Sequence, residues 1–288
     1  MTIRKLDRDA VRGLLPPRAE SSHKGTFGRL TIAAGCDRYR GAAVLCARGA
    51  LACGAGLICV ASTEKALAAV AAHVPEAILI DAQTDRGYLA QSLAASTAVA
   101  AGCGLSQSDE ALALLETALR ASRCPLVLDA DGINLLAARI ELRKELCGRE
   151  VILTPHLGEF ARLTGTTVAA VAAYRAAAAA RYAAESGWTV VLKSDRTVVA
   201  FPDGEVFVNA LGNAGLAKGG SGDLLCGAVA SLAAMGIGAR DAALLGVYLH
   251  SRAADLCAAR IPEHSMSPSL VADFLPAAVA ELQSDEKS

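Results

Sequence analysis

The chain has 288 residues, 53% of them hydrophobic and 20% charged, with Lys+Arg 28 against Asp+Glu 29. It is long enough to bury a full core and too apolar for a disordered chain. A net charge of −1 supplies no basic surface for nucleic acid or for an anionic membrane.

The apolar excess is largely alanine, so it describes small-residue packing more than greasiness. Nine cysteines, an odd number without a CxxC pair, lie mostly in apolar stretches. They are expected as buried reduced thiols of a cytoplasmic protein, not as a disulfide framework or a zinc site. The charged start MTIRKLDRDAVRGLLPPRAE contains no signal-peptide apolar region. The uncharged stretch from Tyr88 to Ser108 is broken by Gln, Ser, Thr and Gly, and predicts a helix running into a strand instead of a membrane span.

After residues 1–22, taken as an N-terminal extension, short apolar runs alternate with longer amphipathic segments. The runs are RLTIAAG from Arg29, LICVAS from Leu57, AILI from Ala77, TAVAAG from Thr97, LVLD from Leu126, VILT from Val151 and TVVLK from Thr189. Nearly continuous hydrophobic runs suit parallel strands covered on both faces. Between them AAVLCARGALACGAG, DEALALLETALRASR and VAAYRAAAAARYAAESG predict helices, and the alanine run 176–180 is a helix former with a small packing face. The alternation implies an α/β sheet with right-handed crossovers. Then VVLKSDRTVVA and EVFV predict short antiparallel strands, and three helices finish the chain from about Ser221. Without a linker or an internal repeat, residues 1–288 are expected to form one domain.

In open α/β sheets ligands bind at the carboxyl ends of the strands. GCDRYRGA, GCGLS, DADGIN and TPHLGE fall there after the first, fourth, fifth and sixth runs. The strongest local signal is NAGLAKGGSGDLLCG, from Asn213 to Gly227. Gly219, Gly220 and Gly222 clear side chains from a backbone that opens a helix, whose free N–H groups favour an anion. Asp223 has a plain reading as the helix N-cap. A carboxylate beside an anion cradle also suits a base that takes a proton from an attacking hydroxyl.

Other motifs fail. There is no GxxxxGK[ST], and GAGLICV precedes a strand, not a helix. The histidines have no HxxxH or HExxH spacing, and GGSGD is not a nucleophile elbow.

HKGTFGRLTIAAG, YRGAAVLCARGALACGAG, LDADGINLL, TPHLGEFARLTG and NAGLAKGGSGDLLCG occur together in the order and spacing of the NAD(P)H-hydrate dehydratases. From His23 onward the chain resembles the ADP-dependent bacterial type, standing alone without an epimerase domain. The resemblance implies a ribokinase-like, three-layer α/β/α fold with a mostly parallel central sheet. It implies that the S epimer of hydrated NADH or NADPH is phosphorylated on its 6-hydroxyl by ADP, with ATP as the alternative donor. Elimination of phosphate then restores the cofactor and leaves AMP.

Carried over, Asp223 is the base and a substrate contact, and Gly222 touches the nucleotide. Gly219, Gly220 and Ser221 form the phosphate cradle, and Lys193, Ser194, Asp195, Arg196 and Thr197 the nucleotide segment. Ala42, Gly104 and His156 touch the hydrated dinucleotide, although a lone histidine is otherwise a loop-stabilising hydrogen bonder. Mg²⁺ is implied without a direct protein ligand. Glu159 falls where related kinases orient it through water, and Asp129 and Asp131 are further carboxylates nearby. A homo-oligomer, a tetramer, and an epimerase on a separate chain complete the implication.

The chain departs from the pattern at Ser194 for glycine, Cys103 for proline and Leu216 for methionine. Ser194 bears on the choice of ADP or ATP. Two rivals share the glycine loop and the fold: a small-molecule kinase for a vitamin or sugar hydroxyl, and a non-catalytic nucleotide sensor.

Overall fold

Strand runs that are apolar nearly throughout need a partner on each face, and the computed structural model, which describes residues 2–284, shows both faces filled. The chain order is β1 (Thr2–Leu6), α1 (Arg8–Val11), β2 (Arg29–Ala33), α2 (Arg40–Cys53), β3 (Leu57–Ser62), α3 (Glu64–His73), β4 (Ile78–Asp81) and α4 (Arg86–Ala94). It continues through β5 (Ala98–Ala101), α5 (Asp109–Ala121), β6 (Leu126–Leu128), α6 (Ala130–Ala138), β7 (Val151–Leu153), α7 (Leu157–Thr164), α8 (Val168–Ala173) and α9 (Arg175–Ser186). The end is β8 (Thr189–Leu192), β9 (Val198–Ala200), β10 (Glu205–Asn209), α10 (Ser221–Ala234), α11 (Ala239–Ala258) and α12 (Pro268–Ser284).

The strands make one sheet in the order β1-β10-β9-β8-β7-β6-β5-β2-β3-β4. The β10–β9 and β9–β8 pairs are antiparallel and the others parallel. Alternate side chains enter two separate cores. Leu30, Ile32, Val127, Ile152 and Val191 pack with α2, α10, α11 and α12. Ala33, Leu126, Leu128, Val190 and Leu192 pack with residues of α5, α6, α7 and α9. The result is the expected three-layer α/β/α arrangement with a mostly parallel sheet.

Three local differences from the sequence reading have physical causes. Thr2–Leu6, grouped with an N-terminal extension, is an edge strand whose residues pair in parallel with Glu205–Asn209, while Leu6, Val11 and Leu15 are buried in the core. The helix expected from Val171 is broken at Tyr174 (φ −133°, ψ 40°) into α8 and α9. Alanine neither caps nor stops a helix, so its pattern does not announce the break. Cys147 is exposed, and Cys36 and Cys124 are half-buried, whereas the other six cysteines are buried and all nine are free. Among the described residues no helix is long and apolar enough to cross a membrane.

The approach of α10 to α2 fixes the site's floor. A Cβ on Gly227 would stand 1.9 Å from the Cys46 carbonyl oxygen, and one on Gly49 would stand 2.3 Å from that of Leu224. Only glycine at both positions lets the two backbones meet so closely. Most of α10 and α11 is buried within the chain.

Candidate active site

The sheet order reverses between β2 and β5, since β2 to β4 run outward on one side and β5 to β10 on the other. A crevice at the carboxyl ends of the strands is expected at that switch point. Here Cys103 and Gly104 follow β5, Asp129 follows β6, His156 follows β7 and Lys193 follows β8. Across them lies the start of α10, whose N-cap is Gly220 at φ 100°, a left-handed conformation that favours glycine.

Asp223 is therefore not the cap. The helix begins two residues earlier, at Ser221, and Asp223 sits in its first turn. Its carboxylate lies with that of Asp129 and the Cys103 sulfur in one group whose ligand atoms are all within 4.8 Å of one another. Burial, and then the negative charge of Asp129, push Asp223 up to about 6. Asp129, 1% exposed, is itself held above the usual carboxylate range by burial, although Lys193 works against it.

Lys193 donates from Nζ to Asp129 Oδ1 at 2.5 Å. Burial opposes its charge, but the carboxylates of Asp129 and Glu159 outweigh burial and hold it protonated. Gly222 makes room for this pair, because a Cβ there would stand 3.0 Å from Lys193 Nζ and 3.4 Å from Asp129 Oδ2. The sequence reading named both residues without joining them.

His156 has the stabilising role its type suggests, as the N-cap of α7. Its Nδ1 accepts from the N–H groups of Gly158 at 2.9 Å and Glu159 at 3.2 Å. Glu159 answers by accepting from the His156 N–H at Oε2, 2.8 Å away, and its Oε1 lies 3.0 Å from His156 Nε2. These contacts and Lys193 hold Glu159 below the usual carboxylate range in spite of its burial. Both of its oxygens are thus engaged by His156.

A cleft of about 760 Å³ opens between these strand ends and α11. It is lined by His156, Lys193, Ser194, Asp195, Thr197, Ser221 and Gly222 from the expected set. Arg196, Gly219 and Gly220 do not line it. Ser194 closes its own turn, its hydroxyl accepting from the Arg196 N–H at 3.2 Å and donating to the Arg196 carbonyl at 2.8 Å. Asp195 is bonded by Arg175, and that bond lowers its carboxyl below the ordinary range.

Ala42, Gly104 and Asp223 also lie outside the cleft, and the first two adjoin one another. A Cβ on Gly104 would stand 2.5 Å from that of Ala42 and 2.9 Å from that of Tyr39. Tyr39 lines a second hollow of about 440 Å³, with Cys36, Ser106 and Asp131. Asp223 lines neither space; it is grouped with Cys103, the residue before Gly104, and with Asp129, which Lys193 of the cleft contacts. A third hollow of about 510 Å³, around Ser62, Gln83 and Glu110, shares Cys36 with the second and takes in none of the expected site residues.

Sequence reasoning missed Asn209, Lys218, His250 and Ser251 in the cleft wall. Asn209 ends a strand and donates to Ser251 Oγ at 2.9 Å. Asp255 of α11 holds the Gly212 N–H and the Asn213 amide at 3.1 Å each. No local signal marks His250, which lies inside an apolar helix.

The three-layer fold, which brings a glycine-capped helix end, a buried lysine–aspartate pair and a raised carboxylate to one crevice, is ribokinase-like. A solved ribokinase-like superfamily protein from Enterococcus faecalis superposes with a TM-score of 0.86 at 28% identity, over 97% of this chain and 96% of that one. The family model for NAD(P)H-hydrate dehydratase matches residues 30–277, and the chain belongs to that family. An ADP-dependent (S)-NAD(P)H-hydrate dehydratase from Neisseria meningitidis is 44% identical over 245 residues, covering 83% of this chain and 80% of the relative. The crystal structure of the ADP/ATP-dependent dehydratase from Bacillus subtilis, co-crystallised with ATP/Mg²⁺, has a TM-score of 0.84 at 32% identity and covers 98% of this chain and 99% of that one. Other relatives are longer: the chain spans 53% of a bifunctional NAD(P)H-hydrate repair enzyme from Moorella thermoacetica, at 37% identity over 283 residues.

Proposed function

We propose that this chain dehydrates the S epimer of hydrated NADH and NADPH, with ADP as phosphoryl donor and ATP as the alternative. The observation that carries the reading is Asp223, a buried carboxylate raised to about 6 at the start of α10, grouped with Cys103 and with Asp129, the partner of Lys193 in the cleft wall. Family membership supports the substrate.

In this mechanism the Asp223 carboxylate takes the proton of the 6-hydroxyl as its oxygen attacks the β-phosphorus of ADP. The bond from that phosphorus to the AMP oxygen breaks, and AMP leaves. The C6–O bond of the phosphorylated ring then breaks, C5 loses a proton, and the C5=C6 double bond returns with free phosphate as by-product. Phosphate leaves far more readily than hydroxide. A general base of this kind contributes typically about 10²–10⁴-fold. The N–H groups at the start of α10 would stabilise charge on the transferred group, and Lys193, paired with Asp129, would add a positive charge.

Magnesium fits the donor set. Asp129 and Asp223 supply hard carboxylate oxygens, whereas the third member of the group, Cys103, is a soft ligand that Mg²⁺ does not take. Those two carboxylates would hold the ion largely through its waters, with Glu159 adding negative charge behind Lys193. When bound, the ion would neutralise phosphate charge.

The test is incubation with S-configured hydrated NADH, Mg²⁺ and either ADP or ATP, followed at 340 nm. A rise supports the dehydratase, and the ratio of rates assigns the donor. A stable phosphorylated product would favour the kinase reading, and nucleotide binding without turnover the sensor. A homotetramer in the cytoplasm, acting beside a separate epimerase, completes the proposal, and light scattering of the purified protein tests the assembly.

A further inference from the structure

Two enclosed polar side-chain atoms in the cleft wall have no hydrogen-bond partner. His250 of α11 is 6% exposed and Ser221, the first residue of α10, is 8% exposed. Among the described residues, His250 Nε2 and Ser221 Oγ have no hydrogen bond, and both residues line the same cleft. Leaving such an atom unpaired costs roughly 1–3 kcal/mol, and folded proteins rarely leave two together.

The chemistry of the missing partner follows from the ring. The Ser221 backbone favours a proton on the imidazole, and because Nε2 has no partner that proton is assigned to Nδ1. Burial, followed by the Lys193 charge, brings the ring down to about 4, so it is neutral near pH 7. A neutral ring donating from Nδ1 offers a bare acceptor at Nε2. A phosphate oxygen is an acceptor too and is the wrong partner. The neighbouring wall is apolar, with Leu211, Leu216, Leu225 and Val247, as suits the flat face of a base.

We propose that His250 Nε2, with Ser221 Oγ beside it, accepts a hydrogen bond from a hydroxyl or amino group on the nucleoside half of the phosphoryl donor. The assignment rests on the nucleotide-donor reading above and adds a subsite to it: His250 recognises the nucleoside, and the glycine loop takes the phosphates.

Calorimetric titration of the full-length protein tests this, using ADP, 2′-deoxy-ADP, 3′-deoxy-ADP, inosine diphosphate and pyrophosphate on the wild type, His250→Phe and His250→Gln. The expected result is ADP binding weakened roughly 5- to 150-fold in His250→Phe, partial recovery in His250→Gln, and unchanged pyrophosphate binding. The analogue that lacks the recognised donor binds weakly to wild type, and its deficit disappears in His250→Phe. Loss with a deoxy analogue identifies the hydroxyl, and loss with inosine diphosphate identifies the amine. Wild-type affinity for ADP in His250→Phe, preserved analogue deficits, or an equal loss of pyrophosphate binding overturns the assignment alone. Should His250→Phe not fold, the same comparison is made with His250→Gln, where an intact analogue deficit overturns it. Failure of the wild type to bind any nucleotide overturns the donor reading and this inference together.

Discussion

Replacing Asp223 with asparagine should cost activity and add stability at the same time. The carboxyl pKa moves from 3.8 to about 6 on folding, because the group is buried and faces Asp129. Between those values the folded chain holds a proton that the unfolded chain has released. Stability therefore falls as pH rises through this window, and the loss is complete above about pH 6. A rise of that size corresponds to about 3 kcal/mol. Asparagine keeps an acceptor oxygen and has no charge to bury. Asp223→Asn is thus expected to melt roughly 5–10 °C higher than wild type at pH 8 and at nearly the same temperature at pH 4. Its turnover of hydrated NADH should drop about 10²–10⁴-fold, while wild-type kcat/KM rises with pH through about 6. The assays are calorimetric melting from pH 4 to pH 8 and absorbance at 340 nm. A melting difference that does not grow with pH would refute the argument from burial, and near-normal turnover would remove Asp223 as the base.

The other predictions concern the framework around it. Lys193→Met leaves Asp129 buried without its cation and should destabilise by about 3–5 kcal/mol; an unchanged urea midpoint would show that the pair contributes nothing. His156→Ala loses the cap of α7, about 1 kcal/mol, and should raise the KM for hydrated NADH. His156→Asn should restore the cap and leave the KM high, whereas an effect confined to the nucleotide KM would contradict the substrate-side role. Gly227→Ala puts a methyl 1.9 Å from the Cys46 carbonyl oxygen, so α10 must move. Overpacking of this kind costs about 1–3 kcal/mol or more, and turnover should fall with it because α10 carries Asp223; an unaltered melting curve would mean the helices part freely.

Element types are legible in the local pattern of residues. Runs such as LICVAS and LVLD are nearly continuously apolar because both faces of each strand are covered, and the chain reads as α/β for that reason. The glycine loop is legible as well, since three glycines before an apolar helix are a local pattern. So is the change to antiparallel strands after Leu192, where short runs follow each other with no room for a crossover helix.

What those elements bring together depends on how they dock. Thr2–Leu6 looks like a charged leader because an edge strand exposes most of its length, and only pairing with β10 makes it part of the sheet. Lys193 and Asp129 are 64 positions apart, and they meet because β6, β7 and β8 are sheet neighbours with their carboxyl ends aligned. Asp223 is legible as an oddity, but its escape from the cap position depends on Gly220 starting the helix early. His250 stays hidden because helix periodicity places it among buried residues and says nothing of the cleft beyond. Local patterns report how each segment meets its own two faces. Which polar groups share a cleft depends on sheet order and helix docking, whose contacts lie far apart along the chain.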